Sequence, residues 1–385
     1  MADYKTIHGT TVTNYTADPD NPIQGQVWYD ETARTLQYTI PNVTSAGAWR
    51  SGGNINSARW YTTGTGTESN MLLVGGEKSG SPAYGYGDLT EKYDGATWTE
   101  LNDLNSNRHA HAVTGTTTAA LSIAGIFDIP SPGYDDSVES WDGTNWTETT
   151  DINTTRGFIK GSGTQTATIV FGGYTGTANA ANAENWNGSA WTEVADLNTA
   201  RRIMGTAGYN TNTAVLGFGG YTPSPGNQAV TELWNGTNWT EVNDMNTARQ
   251  ALAGSGITTA ALAFGGRVDP PISALTESWN GTNWTEVGDL GTARYYITGS
   301  QTSSTSALAF GGVISSPANA TANTELWNGT SWAEQNNLST ARSRAGASGT
   351  SSSAGMFGGY TGTAPFSAAT EEWSSASNTV KTLTD

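Results

Sequence analysis

The stretch from Leu262 to Arg294 reads LAFGGRVDPPISALTESWNGTNWTEVGDLGTAR, and it is one copy of a unit that recurs almost to the end of the chain. Aligned on the closing arginine, the copies end at Arg59, Arg108, Arg156, Arg201, Arg249, Arg294 and Arg342, at steps of 49, 48, 45, 48, 45 and 48 residues. A constant period of this size marks a repeat architecture. Each copy opens on an apolar run ending in Gly-Gly, as at Gly265-Gly266; the second copy departs with Ala124-Gly125. Thr-Glu-x-Trp, a turn and a second Trp follow. Leu262-Ala263-Phe264 reads as a buried strand, and the glycines after it let another backbone come close. Thr276–Trp279 and Trp284–Val287 read as a hairpin around Asn280-Gly281, since Asn and Gly tolerate positive φ. An even-length loop places Trp279, Trp284 and Glu277 on one face of the sheet. A fourth strand is expected through Tyr295–Gly299.

Four short antiparallel strands per unit describe a propeller blade, so the predicted fold is all-β, a seven-bladed β-propeller. The 48 Gly, the 15 Trp and the 13% of charged residues agree with an all-β chain. Two repeat columns, Trp141 to Trp373 and Trp49 to Trp332, account for 6 + 7 = 13 of the 15 tryptophans. A residue that recurs in every unit reads as packing before it reads as a ligand platform. Two further columns match one to one. The arginines above are matched in number by Glu91, Glu139, Glu184, Glu232, Glu277, Glu325 and Glu371, one per unit, which reads as a structural ion pair or a bond to strand-end carbonyls.

The unit resembles the kelch repeat: Gly-Gly after a strand, then Glu-x-aromatic, then a Trp about half a unit later. The resemblance covers roughly residues 48–385 and implies a kelch-like propeller. It speaks to fold far more than to function. Trp49 stands ten residues before Arg59, as Trp284 stands before Arg294, so Ala48-Trp49-Arg50-Ser51 is an outer strand that lacks its own blade. It is expected to complete the last blade, closing the ring and removing an open edge. The competing arrangement closes that blade with Thr379–Leu383.

Residues 1–47 lie outside the repeat and are read as an attachment or capping segment, with a hairpin of Gly25–Tyr29 and Thr35–Ile40 around Asp30–Ala33. A lone hairpin is marginal in water and needs something to pack against. Within this segment Asn21-Pro22-Ile23-Gln24-Gly25-Gln26-Val27-Trp28-Tyr29 resembles a short motif of tailed-phage structural proteins. The Trp-Asn-Gly-Thr-x-Trp-Thr-Glu units are similar to those of marine-phage virion proteins. These resemblances imply a non-enzymatic virion protein, a tail-fibre or appendage subunit. Its partners would be other virion proteins through residues 1–47 and a glycan or protein of the host surface, with self-association of copies also open. A purely structural virion spacer and a cellular kelch-type interaction module are the alternatives.

The chemistry the chain excludes is broad. It has no cysteine, so disulfides, thiolate metal sites and cysteine catalysis are absent. Its net charge of −17 opposes nucleic acid and anionic membranes. Met1-Ala-Asp-Tyr-Lys carries no apolar stretch, which predicts no signal peptide, and no 18-residue apolar run predicts a membrane span. No cofactor is expected. His109-Ala110-His111 would place two imidazoles on one strand face, a metal-like spacing without an evident third ligand. What varies between units is the segment from the double glycine to the Thr-Glu strand, which holds nine of the twelve prolines. These loops should emerge on one face of the disc, where binding usually sits on a fixed scaffold. The candidate binding residues there are Tyr84, Tyr86, Asp88, Tyr134, Asp135, Asp136, Tyr174, Tyr221, Arg267, Asp269, Tyr360 and Phe366. Aromatics beside carboxylates suit sugar rings and hydroxyls.

Overall fold

The computed structural model describes all residues except 1–5, 8–9, 18–25, 41–46, 79–84, 128–132, 269–270, 301, 316–318, 363–365, 376–378 and 383–385. Tyr84, Asp269, most of the phage-like motif (residues 21–25) and Leu383 lie outside the described residues. The described residues are all strand, turn and loop, with no helix. They form two compact units, Trp49–Trp373 and a second made of Met1–Ala48 with Ser374–Asp385. The repeat region was expected to run to residue 385; its last dozen residues group instead with the N-terminal segment.

In the larger unit, seven four-stranded antiparallel sheets carry the repeat, a propeller-like arrangement. The sheet around the opening stretch runs Ala253–Ile257, Ala260–Phe264, Thr276–Trp279 and Trp284–Glu286. Its hairpin pairs Trp279 with Trp284 across the strands, their rings 5.5 Å apart. The turn is held by Asn280 Oδ1, which accepts from the N–H groups of Thr282 and Asn283. The fourth strand expected through Tyr295–Gly299 is placed differently. The chain makes an irregular step after the arginine, and a strand begins only at Thr298, as the first of the next sheet. First strands of neighbouring sheets lie against one another at five places, among them Thr63–Thr67 with Ala112–Thr116, Ala253–Ile257 with Thr298–Gly299, and Gly346–Gly349 of the last sheet with Thr63–Thr67 of the first. The sheet of Gly346–Gly349, Ser353–Phe357 and Thr370–Ser374 takes its fourth strand from Ala48–Ser51.

The double glycine is explained by what approaches it. The first glycine of each pair has φ between +62° and +66°, and the second between +102° and +110°. A Cβ on Gly265 would stand 2.7 Å from the carbonyl oxygen of Arg294, and one on Gly266 2.9 Å from that of Gln250. The close approach is used: Gly266 N–H donates to Arg294 O at 2.8 Å. The same bond recurs from Gly76 to Arg108, Gly125 to Arg156, Gly173 to Arg201, Gly220 to Arg249 and Gly312 to Arg342, and from Gly359 of the last copy to Arg59 of the first. The exceptional Ala124 takes the same left-handed conformation, φ +55°, within a β-bulge.

The arginine and glutamate columns meet. Arg59–Glu91, Arg108–Glu139, Arg156–Glu184, Arg249–Glu277, Arg294–Glu325 and Arg342–Glu371 stand 2.7–3.0 Å apart, and Arg201 pairs with Glu232. All fourteen side chains are buried. In the fifth sheet, Arg249 also donates to the carbonyls of Gly265 and Leu275, while Glu277 accepts from the N–H and side-chain amide of Asn246. The pair therefore ties the end of one repeat to the third strand of the next. Burial pulls the guanidinium pKa down in Arg59, Arg156 and Arg249, and to about 10 in Arg294 and Arg342, and the facing glutamate partly offsets this. Such groups stay charged at any physiological pH and serve geometry.

The two Trp columns do different jobs. Indoles of the first cap the turn between the first two strands of their own sheet, as Trp279 Nε1 does on Thr258 O at 2.9 Å. Indoles of the second reach back to the preceding sheet. Trp146, Trp284 and Trp332 donate to Thr90, Thr231 and Thr276 at 2.8–3.0 Å. Trp98 of the first sheet donates to Thr370, and Trp49 donates to Thr324. Trp191 and Trp239 have no hydrogen-bond acceptor. The position they would reach holds Val138 and Ala183, which have no hydroxyl to offer.

In the smaller unit the hairpin pairs Val27–Asp30 with Thr35–Ile40, and Asp30 Oδ1 holds the turn by accepting from Thr32 and Ala33. Thr13–Tyr15 adds in parallel on one edge and Thr379–Thr382 in antiparallel on the other. The C-terminal strand thus pairs with the N-terminal hairpin, and the alternative in which it closes the last repeat sheet is set aside.

Candidate functional site

Residues entering the first strand and residues leaving the second lie at one end of an antiparallel sheet. Here they are bridged. The residue after each arginine pairs with the residue after each double glycine: Trp60 with Glu77, His109 with Ile126, Gly157 with Tyr174, Arg202 with Tyr221, Gln250 with Arg267, Tyr295 with Val313, and Ser343 with Tyr360. Every unit therefore presents two variable positions side by side on the end from which its variable loop leaves.

Two aromatic clusters form there. Tyr134 meets Tyr174 edge-on at 5.5 Å, and the guanidinium of Arg202 lies 4.1 Å from the Tyr174 ring and 5.3 Å from that of Tyr221. The second cluster gathers Tyr360 and Phe366 around Trp60, at 5.0 and 5.2 Å. Arg344 adjoins Trp60 at 5.2 Å, Tyr61 at 5.5 Å and Tyr296 at 4.1 Å. Arg267 stands 6.0 Å from Tyr295. Guanidinium groups over ring faces gain electrostatic attraction at this range. All these side chains except the buried Tyr295 are partly exposed.

Of the carboxylates expected beside the aromatics, Asp135 and Asp136 are occupied by the fold. Asp135 lies 3.5 Å from Arg108 and accepts from Ser137 Oγ, and Asp136 accepts from Thr155. Asp88 lends its backbone carbonyl to Leu104. Tyr86 lies in the short strand Gly85–Tyr86, paired with Glu77–Lys78. Aromatic rings and guanidinium groups are what this end brings together among the described residues.

The second residue after each arginine shares a backbone feature that sequence reasoning missed. Tyr61, Ala110, Phe158, Ile203, Ala251, Tyr296 and Arg344 all have φ between +48° and +56°. Left-handed backbone costs a non-glycine residue about 1 kcal/mol or more, so seven in register need support from outside the residue. Part of that support is visible. Phe158 N–H donates to Ala110 O, Ala251 to Ile203 and Tyr296 to Ala251, each one repeat back, and Tyr61 of the first copy donates to Arg344 of the last. These seven residues line one cavity of about 260 Å³. The signal was present in the sequence as variation flanked by constancy: the arginine is invariant while the next two positions range from Gly to Trp.

The histidine pair does not form the face expected of it. Ala110 is left-handed (φ +50°), which breaks the alternation that would align His109 with His111. His111 is 5% exposed, and neither ring nitrogen has a hydrogen-bond partner. Burial, and then the charges of Arg108 and His109, hold its pKa well below the ordinary histidine value. Among the described residues no group of three or more His, Asp or Glu side chains could hold a metal ion. Compared with protein-family models and with curated proteins, the chain finds no match in either.

Proposed function

We propose that this chain is a non-enzymatic recognition protein built on a kelch-like propeller of seven blades, carried on a phage virion as a tail-fibre or appendage subunit. The observation that carries recognition is the end described above, where partly exposed Tyr, Trp and Phe rings alternate with Arg202, Arg267 and Arg344. Rigid aromatics with few rotatable bonds bind sugar rings and protein side chains at low entropic cost. The buried ion pairs, by contrast, repeat identically in every unit, and a reacting centre needs one asymmetric set.

The closed ring is supported by bonds across the join of the kinds found between other copies, the Gly-to-Arg bond at every junction and the others at several. Gly359 donates to Arg59, Trp98 to Thr370, and Tyr61 to Arg344, while Trp49 bonds to the sixth sheet as a seventh outer strand would. Tyr93, which replaces Trp in its column, sends its hydroxyl to Glu372, and Glu372 also pairs with Arg50. These contacts are specific to the join. The virion assignment rests on the sequence resemblance, with residues 1–47 as the attachment segment.

The test is an array of bacterial surface glycans, probed with the full chain and with a variant whose variable loops are replaced by Gly-Ser links. Binding by the full chain that the variant loses is expected. Binding by neither, with the chain present in purified particles by mass spectrometry, would replace recognition with a structural spacer. Absence from purified particles would remove the virion reading.

A further inference from the structure

Around the cavity lined by the left-handed residues, three successive columns follow each arginine. At the second position the residues are aromatic or aliphatic except Arg344. At the third they are Thr62, Ile159, Met204, Leu252, Ile297 and Ala345, except His111. At the fourth they are Gly, Ala or Thr, except Lys160. All three exceptions are basic side chains, and all three line the same cavity. A sevenfold scaffold has no packing reason to break its pattern with a base in three adjacent columns at one place.

Arg344 lies against aromatic rings, but neither it nor Lys160 has a carboxylate partner among the described residues, on a chain of net charge −17. Both ring nitrogens of His111 are buried without a hydrogen-bond partner, and Arg344 Nε, like the Nε of most of the repeat arginines, has none either. The ammonium of Lys160 is destabilised by burial alone. Buried polar groups are normally satisfied, and the orphaned His111 ring, beside two half-buried cations without a carboxylate on the same cavity, calls for a ligand that satisfies them. Two cations ask for an anion. The walls beside them are Tyr61, Tyr296 and Phe158, faces against which a ring can stack. The volume of about 260 Å³ sits just below the range of drug-sized pockets, room for one sugar ring and not for a chain of them.

We infer that this cavity binds the carboxylate-bearing ring of an acidic sugar, a uronate residue. Lys160 and Arg344 meet the carboxylate, His111 takes a hydroxyl, and the Tyr and Phe faces pack on the ring. This narrows the proposed recognition role to acidic glycans and rests on that role for its biological meaning, but binding of the free sugar is measured without it.

The experiment is calorimetric or saturation-transfer titration of the full chain with D-glucuronate and D-galacturonate, against D-glucose and D-galactose. Lys160→Met, Arg344→Gln and the control Lys92→Met, which lies outside the cavity, are titrated in parallel. Binding of a uronate at least tenfold tighter than its neutral sugar is expected, with a loss of at least tenfold in both cavity variants and none in the control. Circular dichroism melts establish that the cavity variants remain folded, and competition by the uronate for an anionic fluorophore in the unsubstituted chain gives a second readout. Equal binding of neutral and acidic sugars, no binding, or retention by both variants would overturn the inference. So would acetate or inorganic phosphate competing as well as the uronate, since the ring would then contribute nothing. Uronate binding without binding to any bacterial surface would keep the cavity assignment and remove the recognition role.

Discussion

Replacing Thr231 with Val exchanges a hydroxyl for a methyl at nearly constant volume, so it isolates one hydrogen bond between adjacent sheets. Trp284 Nε1 donates to Thr231 Oγ1 at 3.0 Å; Thr231 is fully buried and Trp284 is 6% exposed. Without the acceptor, the indole N–H is stranded where water does not reach it, a cost of about 1–3 kcal/mol. The added methyl returns about 0.8 kcal/mol of burial. The net expectation is a loss of about 0.5–2 kcal/mol. The molecule carries the reciprocal experiment: Trp191 Nε1 is already stranded, against Val138. Val138→Thr supplies the missing acceptor, so a change that ordinarily damages a core should here be neutral or stabilising by up to about 1 kcal/mol. Urea unfolding followed by circular dichroism measures both, compared at equal slopes. A harmless Thr231→Val together with a Val138→Thr that costs more than about 2 kcal/mol would refute the claim that these indoles depend on the threonine column.

Three further expectations use the same measurement. Arg249→Met leaves Glu277 buried without its cation and should cost about 3–5 kcal/mol, the range for breaking a buried pair from one side; a loss under about 1 kcal/mol would show that Asn246 alone suffices. Trp49→Ala removes the ring that packs on Phe310 and Trp373 and bonds to Thr324. As a half-buried Trp it should cost about 2–3 kcal/mol, and a neutral result would mean that the seventh sheet does not need its N-terminal strand. His111 stays neutral in the fold, whereas in the unfolded chain it gains a proton as pH falls below about 6.5. Its depressed pKa therefore lowers stability by about 1.4 kcal/mol per pH unit below that point, until the folded-state pKa is reached. The His111→Leu variant should lose this share of the acid sensitivity between pH 7.5 and 5; an unchanged pH profile would place the effect elsewhere.

How far the sequence could be read depends on the range of the interaction. Strand identity, the Asn-Gly hairpins and the facing Trp pairs follow from alternation and turn chemistry over about ten residues, so the opening stretch contained them. One-to-one counting made the Arg and Glu columns legible as partners, because a buried charge needs its opposite wherever it lies. The loop aromatics Tyr134, Tyr174, Tyr221, Tyr360 and Phe366 were singled out by variation alone. Their companions Arg202, Trp60, Tyr296 and Arg344 stand one or two places after an invariant arginine, outside the variable loops, and only the fold turns them toward those loops.

The sequence by itself determined the repeat and what one repeat contains. Its period, its strands and its buried residues are local properties of the chain, copied seven times. Only the tertiary structure decided which edge each terminal strand joins and which residues of different copies meet. A strand of period two fits more than one edge, so Thr379–Thr382 could have closed the last repeat sheet and instead pairs with Thr35–Ile40. His111, Lys160 and Arg344 are single exceptions in separate columns, up to about 230 residues apart, and nothing local relates them. They line one cavity because neighbouring first strands pack side by side and each arginine is followed by a left-handed turn.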